Sequence, residues 1–189
     1  TETIDITGDG EISVKTTGVG NAGNISIETQ NLTTDQIKIT ASTEANSSGD
    51  AGNIEIKTGS LTVAKGTEIS AQTEGTGKGG DINISGPEKL NITGDGKISA
   101  STSSTGLGGN IELKATETID ITGDGEISVK TTGVGNAGNI SIETQNLTTD
   151  QIKITASTEA NSSGDAGNIE IKTGSLTVAK GTEISAQTE

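Results

Sequence analysis

Six near copies of one short motif constrain this chain more than any other feature. They read GNAGNISI at 20–27, GDAGNIEI at 49–56, GKGGDINI at 77–84, GLGGNIEL at 106–113, GNAGNISI at 135–142 and GDAGNIEI at 164–171. Measured from Gly23 through Gly52, Gly80, Gly109 and Gly138 to Gly167, the steps are 29, 28, 29, 29 and 29 residues. A period of this size is the mark of a solenoid, in which one unit cannot bury its apolar face alone and stacks on its neighbours. A longer repeat overlies the short one, because residues 1–74 recur without a change as 116–189, an offset of 115. That offset spans four motif steps. The expectation is one continuous solenoid segment over 1–189, a window on a longer array built from four-coil units.

Composition alone points elsewhere. Apolar residues make up 28% of the chain and the formal charge is −14, values that lean towards disorder. Position settles the matter. Each repeat holds three short stretches with the period-2 alternation of a half-buried strand; in residues 53–80 these are NIEI, SLTV and EISA. Aligning the repeats places Ile25, Ile54, Ile82, Ile111, Ile140 and Ile169 in one column, with Ile27, Ile56, Ile84, Leu113, Ile142 and Ile171 beside it. The second stretch gives a column running from Ile4 through Leu32, Leu61, Leu90, Ile119 and Leu147 to Leu176, with Ile6, Val63, Ile92, Ile121 and Val178 next to it. The third gives Ile12, Ile39, Ile69, Ile98, Ile127, Ile154 and Ile184, followed by Val or Ala. These columns absorb 33 of the 38 Ile, Leu and Val residues. Such placement predicts an all-β protein, a single-stranded parallel β-helix of about 6.5 coils of 28–29 residues with three short strands per coil. Crossover rules favour the right-handed form, and strands ~4.8 Å apart make a rod on the order of 30 Å long.

The motif glycines mark the corner into the first strand, where positive φ or close approach of stacked backbones excludes a Cβ. After them comes a column of Asn24, Asn53, Asp81, Asn110, Asn139 and Asn168, suited to a side-chain ladder from coil to coil. Just before the third-strand Ile, the residues alternate in sign: Glu11, Lys38, Glu68, Lys97, Glu126, Lys153 and Glu183. Like charges on facing strands destabilise and opposite charges stabilise by roughly 0.2–1 kcal/mol. The alternation therefore disfavours a slip of one coil.

Missing residue types exclude much chemistry. The 12 basic residues are all Lys, and there is no His, Cys, Met, Trp, Tyr or Phe. Thiolate nucleophiles, thiolate metal sites and disulfides are therefore absent. Catalysis would need an irregularly placed acid–base pair with a His or Arg beside it, and the carboxylates fall at regular intervals instead. The expectation is no enzyme and no cofactor. Nucleic-acid partners want a basic patch or stacking rings, and membrane insertion wants ~18 or more consecutive apolar residues; the chain has none of these. Three TGDG turns put Asp9, Asp95 and Asp124 forward as calcium candidates, since hard cations take oxygen ligands. They lack the spacing of an EF-hand loop, and Asp-Gly is a common tight-turn pair. A threonine column, Thr16, Thr43, Thr73, Thr102, Thr131, Thr158 and Thr188, raises the idea of an ice-binding surface, but the period-2 count turns it inward at a corner. Glycosylation sequons at Asn24, Asn31, Asn46, Asn83, Asn91, Asn139, Asn146 and Asn161 are what an Asn/Ser/Thr-rich chain yields by composition.

The run GDAGNIEIKTGSLTVAKGTEISAQTEGTGKGGDINI at 49–84 resembles the haemagglutinin-type repeats of filamentous-haemagglutinin-like exoproteins. These are exported by two-partner secretion in Gram-negative bacteria, cyanobacteria included. The likeness lies in the Gly-x-Ala-Gly-Asn-Ile-x-Ile start, the SLTV middle and the TEISA third strand, and it extends along the whole chain. It implies a right-handed parallel β-helix that crosses the outer membrane unfolded and is then displayed or released as an adhesive or structural fibre. The implied partners are further copies joined end to end, surface glycans or other cells. The family's amino-terminal secretion domain is not among these residues. A repeat-based binding module for calcium or polysaccharide is the alternative reading.

Overall fold

Alternation of aliphatic and polar residues yields sixteen strands and no helix in the computed structural model, which describes residues 2–103, 105–159 and 162–188. The first coil contributes β1 (Thr3–Thr7) and β2 (Glu11–Thr16), the second β3 (Ile25–Asp35) and β4 (Lys38–Thr43), and the third β5 (Ile54–Val63) and β6 (Glu68–Ser70). The fourth holds β7 (Ile82–Ser85), β8 (Lys89–Thr93) and β9 (Lys97–Ser99), and the fifth β10 (Ile111–Lys114), β11 (Thr118–Thr122) and β12 (Glu126–Thr131). The sixth consists of β13 (Ile140–Asp150) and β14 (Lys153–Thr158), and the seventh of β15 (Ile169–Val178) and β16 (Glu183–Thr188). Every pairing is parallel and joins one coil to the next. Ile54 lies between Ile25 and Ile82, Leu61 between Leu32 and Leu90, and Ile69 between Ile39 and Ile98. The molecule is a β-solenoid.

Three strands per coil appear as such only in the fourth and fifth coils. In the second, third, sixth and seventh coils the first two run on as one bent strand, so that pairing produces two sheets, one of nine strands and one of seven. The cause is local. The fourth coil turns its first corner through Gly86, Pro87 and Glu88, and the fifth through Ala115, Thr116 and Glu117, whereas β3 and β5 have one residue fewer between equivalent aliphatics. Proline lacks the N–H a ladder needs, and Gly86 sits at φ +91.

The aliphatic columns meet along the axis in one core. Ile54, Ile56, Leu61, Val63, Ile69, Ile84, Ile98, Ile119 and Ile140 are sealed from solvent. Two further kinds of residue join them. Thr34 and Thr149, shaped like Val, fill the two places the aliphatic count leaves vacant in the column of Ile6 and Val63. Their hydroxyls donate to the carbonyls of Thr62 and Thr177 on the next coil, at 3.2 and 3.5 Å. Ile37 and Ile152, outside every column, fill the second corner where their coils are shorter, and are buried too. Sequence duplication supplies an internal control. Leu61, Val63 and Ile69 are 0% exposed, while their identical counterparts Leu176, Val178 and Ile184 are 49%, 51% and 38% exposed. Burial here is conferred by the next coil rather than by the sequence of the coil itself.

The motif glycines are needed for close approach. None of the column from Gly23 to Gly167 has positive φ. A Cβ on Gly109 would stand 2.0 Å from the Gly80 carbonyl oxygen, and one on Gly52 1.8 Å from that of Gly23. A second glycine column, Gly49, Gly77, Gly106, Gly135 and Gly164, meets the same obstacle. We expect Gly109→Ala to lower stability by about 2 kcal/mol or more, since backbone rather than a flexible side chain must give way; an unchanged urea midpoint would contradict the contact.

Threonine points inward as its period demands, and corner length decides what its hydroxyl meets. In the shorter corners Thr73, Thr102 and Thr131 donate to the carbonyls of Lys78, Leu107 and Asn136, at 2.6, 3.0 and 3.2 Å. The corner TEANSSGDAGN after Thr43 carries two extra residues, and the buried Thr43 hydroxyl has no hydrogen-bond partner. The inward threonines form no outward file. Thr102→Val is expected to cost about 1 kcal/mol, whereas Thr43→Val should be neutral or slightly stabilising, because only the first loses a made bond. Thermal melts of the two variants side by side measure the difference.

Candidate functional site

Two surfaces gather the chemically active side chains. The first is the edge made by the Asn column at the start of each coil. Each side-chain oxygen accepts the backbone N–H of its counterpart one coil on: Asn53 N to Asn24 Oδ1 at 2.8 Å, Asp81 N to Asn53 Oδ1 at 2.9 Å and Asn110 N to Asp81 Oδ1 at 2.7 Å. Asn139 N on Asn110 Oδ1 and Asn168 N on Asn139 Oδ1, both at 2.9 Å, continue the series. Side-chain amides of Asn110, Asn139 and Asn168 reinforce it. The following residue closes the loop: Ile54 N donates to Asp81 O and Ile82 N to Asn110 O, at 2.9 and 2.8 Å. The side-chain Oδ1 atoms from Asn24 to Asn139 are thereby each engaged by the coil that follows.

A second, shorter ladder runs three residues earlier and was not anticipated. Asn21 Oδ1 accepts Asp50 N at 2.9 Å, Asp50 Oδ1 accepts Lys78 N at 2.8 Å, and Asn136 Oδ1 accepts Asp165 N at 2.9 Å. Lys78 and Leu107 occupy the column between them, and neither side chain offers an acceptor. The motif's variable second position concealed this column, since it reads Asn, Asp, Lys, Leu, Asn, Asp.

The charged face is the outer side of the seven-stranded sheet. Glu11 is in register with Lys38, Lys38 with Glu68, Glu68 with Lys97, Lys97 with Glu126, Glu126 with Lys153 and Lys153 with Glu183. Among these neighbours Lys38 and Glu68 close to ion-pair distance, 3.9 Å. Other lysines pair elsewhere: Lys130 with Glu126 on its own strand at 3.1 Å, Lys114 with Glu143 across coils at 3.0 Å, and Lys15 with Glu44. Burial raises the Glu126 carboxyl, but the hydrogen bonds of Lys130 and Ser128 and the charges of Lys130 and Lys97 together outweigh it and leave the group below its ordinary range. Two shallow polar depressions lie on this face, one between Glu126, Lys130, Lys153 and Glu183 and one between Glu11, Lys15, Lys38 and Glu68.

The calcium candidates do not assemble. Asp95 and Asp124 occupy equivalent places in the fourth and fifth coils, and Asp9 lies three coils below Asp95, with Gln36 and Gly66 between. Among the described residues no group of three or more carboxylates is placed to hold a metal ion. The Asp95 carboxylate is engaged, since its Oδ1 accepts the Gly66 N–H of the preceding coil at 2.6 Å. That bond holds its carboxyl below the usual carboxylate range. The Gly8, Gly94 and Gly123 residues beside these aspartates have positive φ, as tight turns require. Among the described residues no helix is long and apolar enough to cross a membrane. Of the sequons, that at Asn161 lies outside the described residues.

Comparison with protein families, with curated proteins and with solved structures returns no match.

The Asp95 bond carries a pH signature. A carboxyl depressed in the folded state stabilises fully above its unfolded pKa, about 3.9, and that contribution is lost as pH falls through the lower folded value. Asp95→Asn should make stability fall less steeply below about pH 4 than in the parent protein. Parallel slopes in acid titrations followed by circular dichroism would contradict the assignment.

Proposed function

We propose that this chain is a non-catalytic structural or adhesive segment of an extracellular fibre, standing on or outside the surface of a Gram-negative bacterium. One observation carries the mechanical part: both sheets run uninterrupted from coil to coil, so backbone hydrogen bonds point along the axis through the whole described stack. A rod joined in that direction resists bending and stretching, because any extension breaks several bonds at once. The polar ladders add rungs on the outside, and the aliphatic columns add a core that repeats with each coil.

Surface chemistry supports the same reading. A formal charge of −14 without aromatic residues keeps neighbouring rods apart by like-charge repulsion. Titratable groups with shifted affinity, namely Lys15, Lys57, Asp95 and Glu126, each answer to a structural neighbour. Partners on this reading are further coils stacked end to end, with glycans or other cells as what the fibre touches. The extracellular location rests on the likeness to haemagglutinin-type repeats.

Imaging of native material tests the proposal. Filaments giving an axial reflection near ~4.8 Å, the spacing of stacked strands, are expected; compact particles with no axial order would overturn it. A calorimetric titration with calcium addresses the binding-module alternative. It should show no heat in proportion to the TGDG turns, and a stoichiometric heat would favour that alternative instead.

A further inference from the structure

The seventh coil presents an open edge whose natural cover can be read from inside the molecule. Residues 169–188 repeat the sequence of 54–73. There the covering coil is the fourth: Ile82 lies on Ile54, Leu90 on Leu61, Ile98 on Ile69, and Lys97 opposite Glu68. The first coil, at the other end, obeys the same rule. Residues 3–16 repeat 118–131, and that sequence also stacks on the fourth coil, with Leu90 beside Ile119, Ile98 beside Ile127 and Lys97 beside Glu126. Two edges of opposite polarity share one internal partner.

We propose that both edges are docking surfaces for a lysine-bearing coil of the fourth type, with the sequence of residues 75–103, supplied by another stretch of solenoid. The fourth coil is singled out because the internal copies of both edges already stack on it. Sign narrows the choice further: the file admits the lysine-bearing coils, those of Lys38, Lys97 and Lys153, and rejects the glutamate-bearing ones, whereas the aliphatic columns make no such division, because Ile or Leu leads each strand in both kinds of coil. Both edges carry glutamate, Glu11 on one and Glu183 on the other, so stacking the seventh coil of one copy directly on the first coil of another sets Glu183 against Glu11. A fourth-type coil between them restores the alternation found at every described step.

This inference rests on the stacked-array reading and refines which coil comes next. Hydrogen exchange on the 189-residue protein tests it with a synthetic peptide of residues 75–103 and the same peptide carrying Lys97→Glu. Inside the chain the N–H groups of Ala71 and Thr73 donate to Ser99 O and Ser101 O at 2.9 and 3.0 Å. Their copies at the edge, Ala186 and Thr188, are the amides the native peptide should slow. The Lys97→Glu peptide should need about three- to tenfold higher concentration for the same slowing, with the gap narrowing in high salt. Equal slowing by both peptides would show that the charge file does not select, and no slowing by the native peptide at millimolar concentration would show that the edge does not dock this coil. A native protein that formed no filaments yet captured the native peptide would defeat the fibre reading and leave this one standing.

Discussion

Backbone hydrogen bonds directed along the axis hold each coil to the next, and the glycine corners are where that contact is tightest. At Gly52, Gly80, Gly109, Gly138 and Gly167 the carbonyl of the coil beneath occupies the space a side chain would need. A corner this close fixes the height between coils, and with it the spacing at which the Ile columns touch and the Asn ladder can reach its backbone donors. Other features follow from that spacing. Were the corners wider, Asn53 N could not sit 2.8 Å from Asn24 Oδ1, and the aliphatic columns would part.

Variation between coils is absorbed at corners and leaves the columns intact. The second corner is shortened in the coils of Ile37 and Ile152, and an isoleucine fills the corner. The third corner is lengthened after Thr43, and a buried hydroxyl goes without a partner. The first corner is lengthened at Pro87, and a bent strand divides into two. Insertions at these points change local hydrogen bonding while register along the axis persists. This tolerance is what lets diverged repeats share one core.

Much of this architecture was legible before the structure, because column position is a property of spacing. Ile54 and Ile82 are next-storey neighbours, as the 28-residue step requires. What escaped the reading depended on shape or distance. A count of Ile, Leu and Val cannot register Thr34 or Thr149, each a threonine acting as a valine. The Asn21–Asp50 ladder hid behind a position that also accepts Lys and Leu. Alternating charge correctly marked which residues face one another, yet only geometry could show that Lys130 draws Glu126 along its own strand. Spacing told which backbones meet at the glycines, but not that closeness, rather than backbone handedness, forbids the side chain.

The duplicated sequence, core in the third coil and half-exposed in the seventh, means that finishing the stack carries a penalty independent of how tall it is. Each storey added between two fixed tips contributes a whole interface, so stability should rise with height towards a constant increment. Short stacks are then disproportionately weak, and melting advances inward from the tips rather than beginning at mid-height.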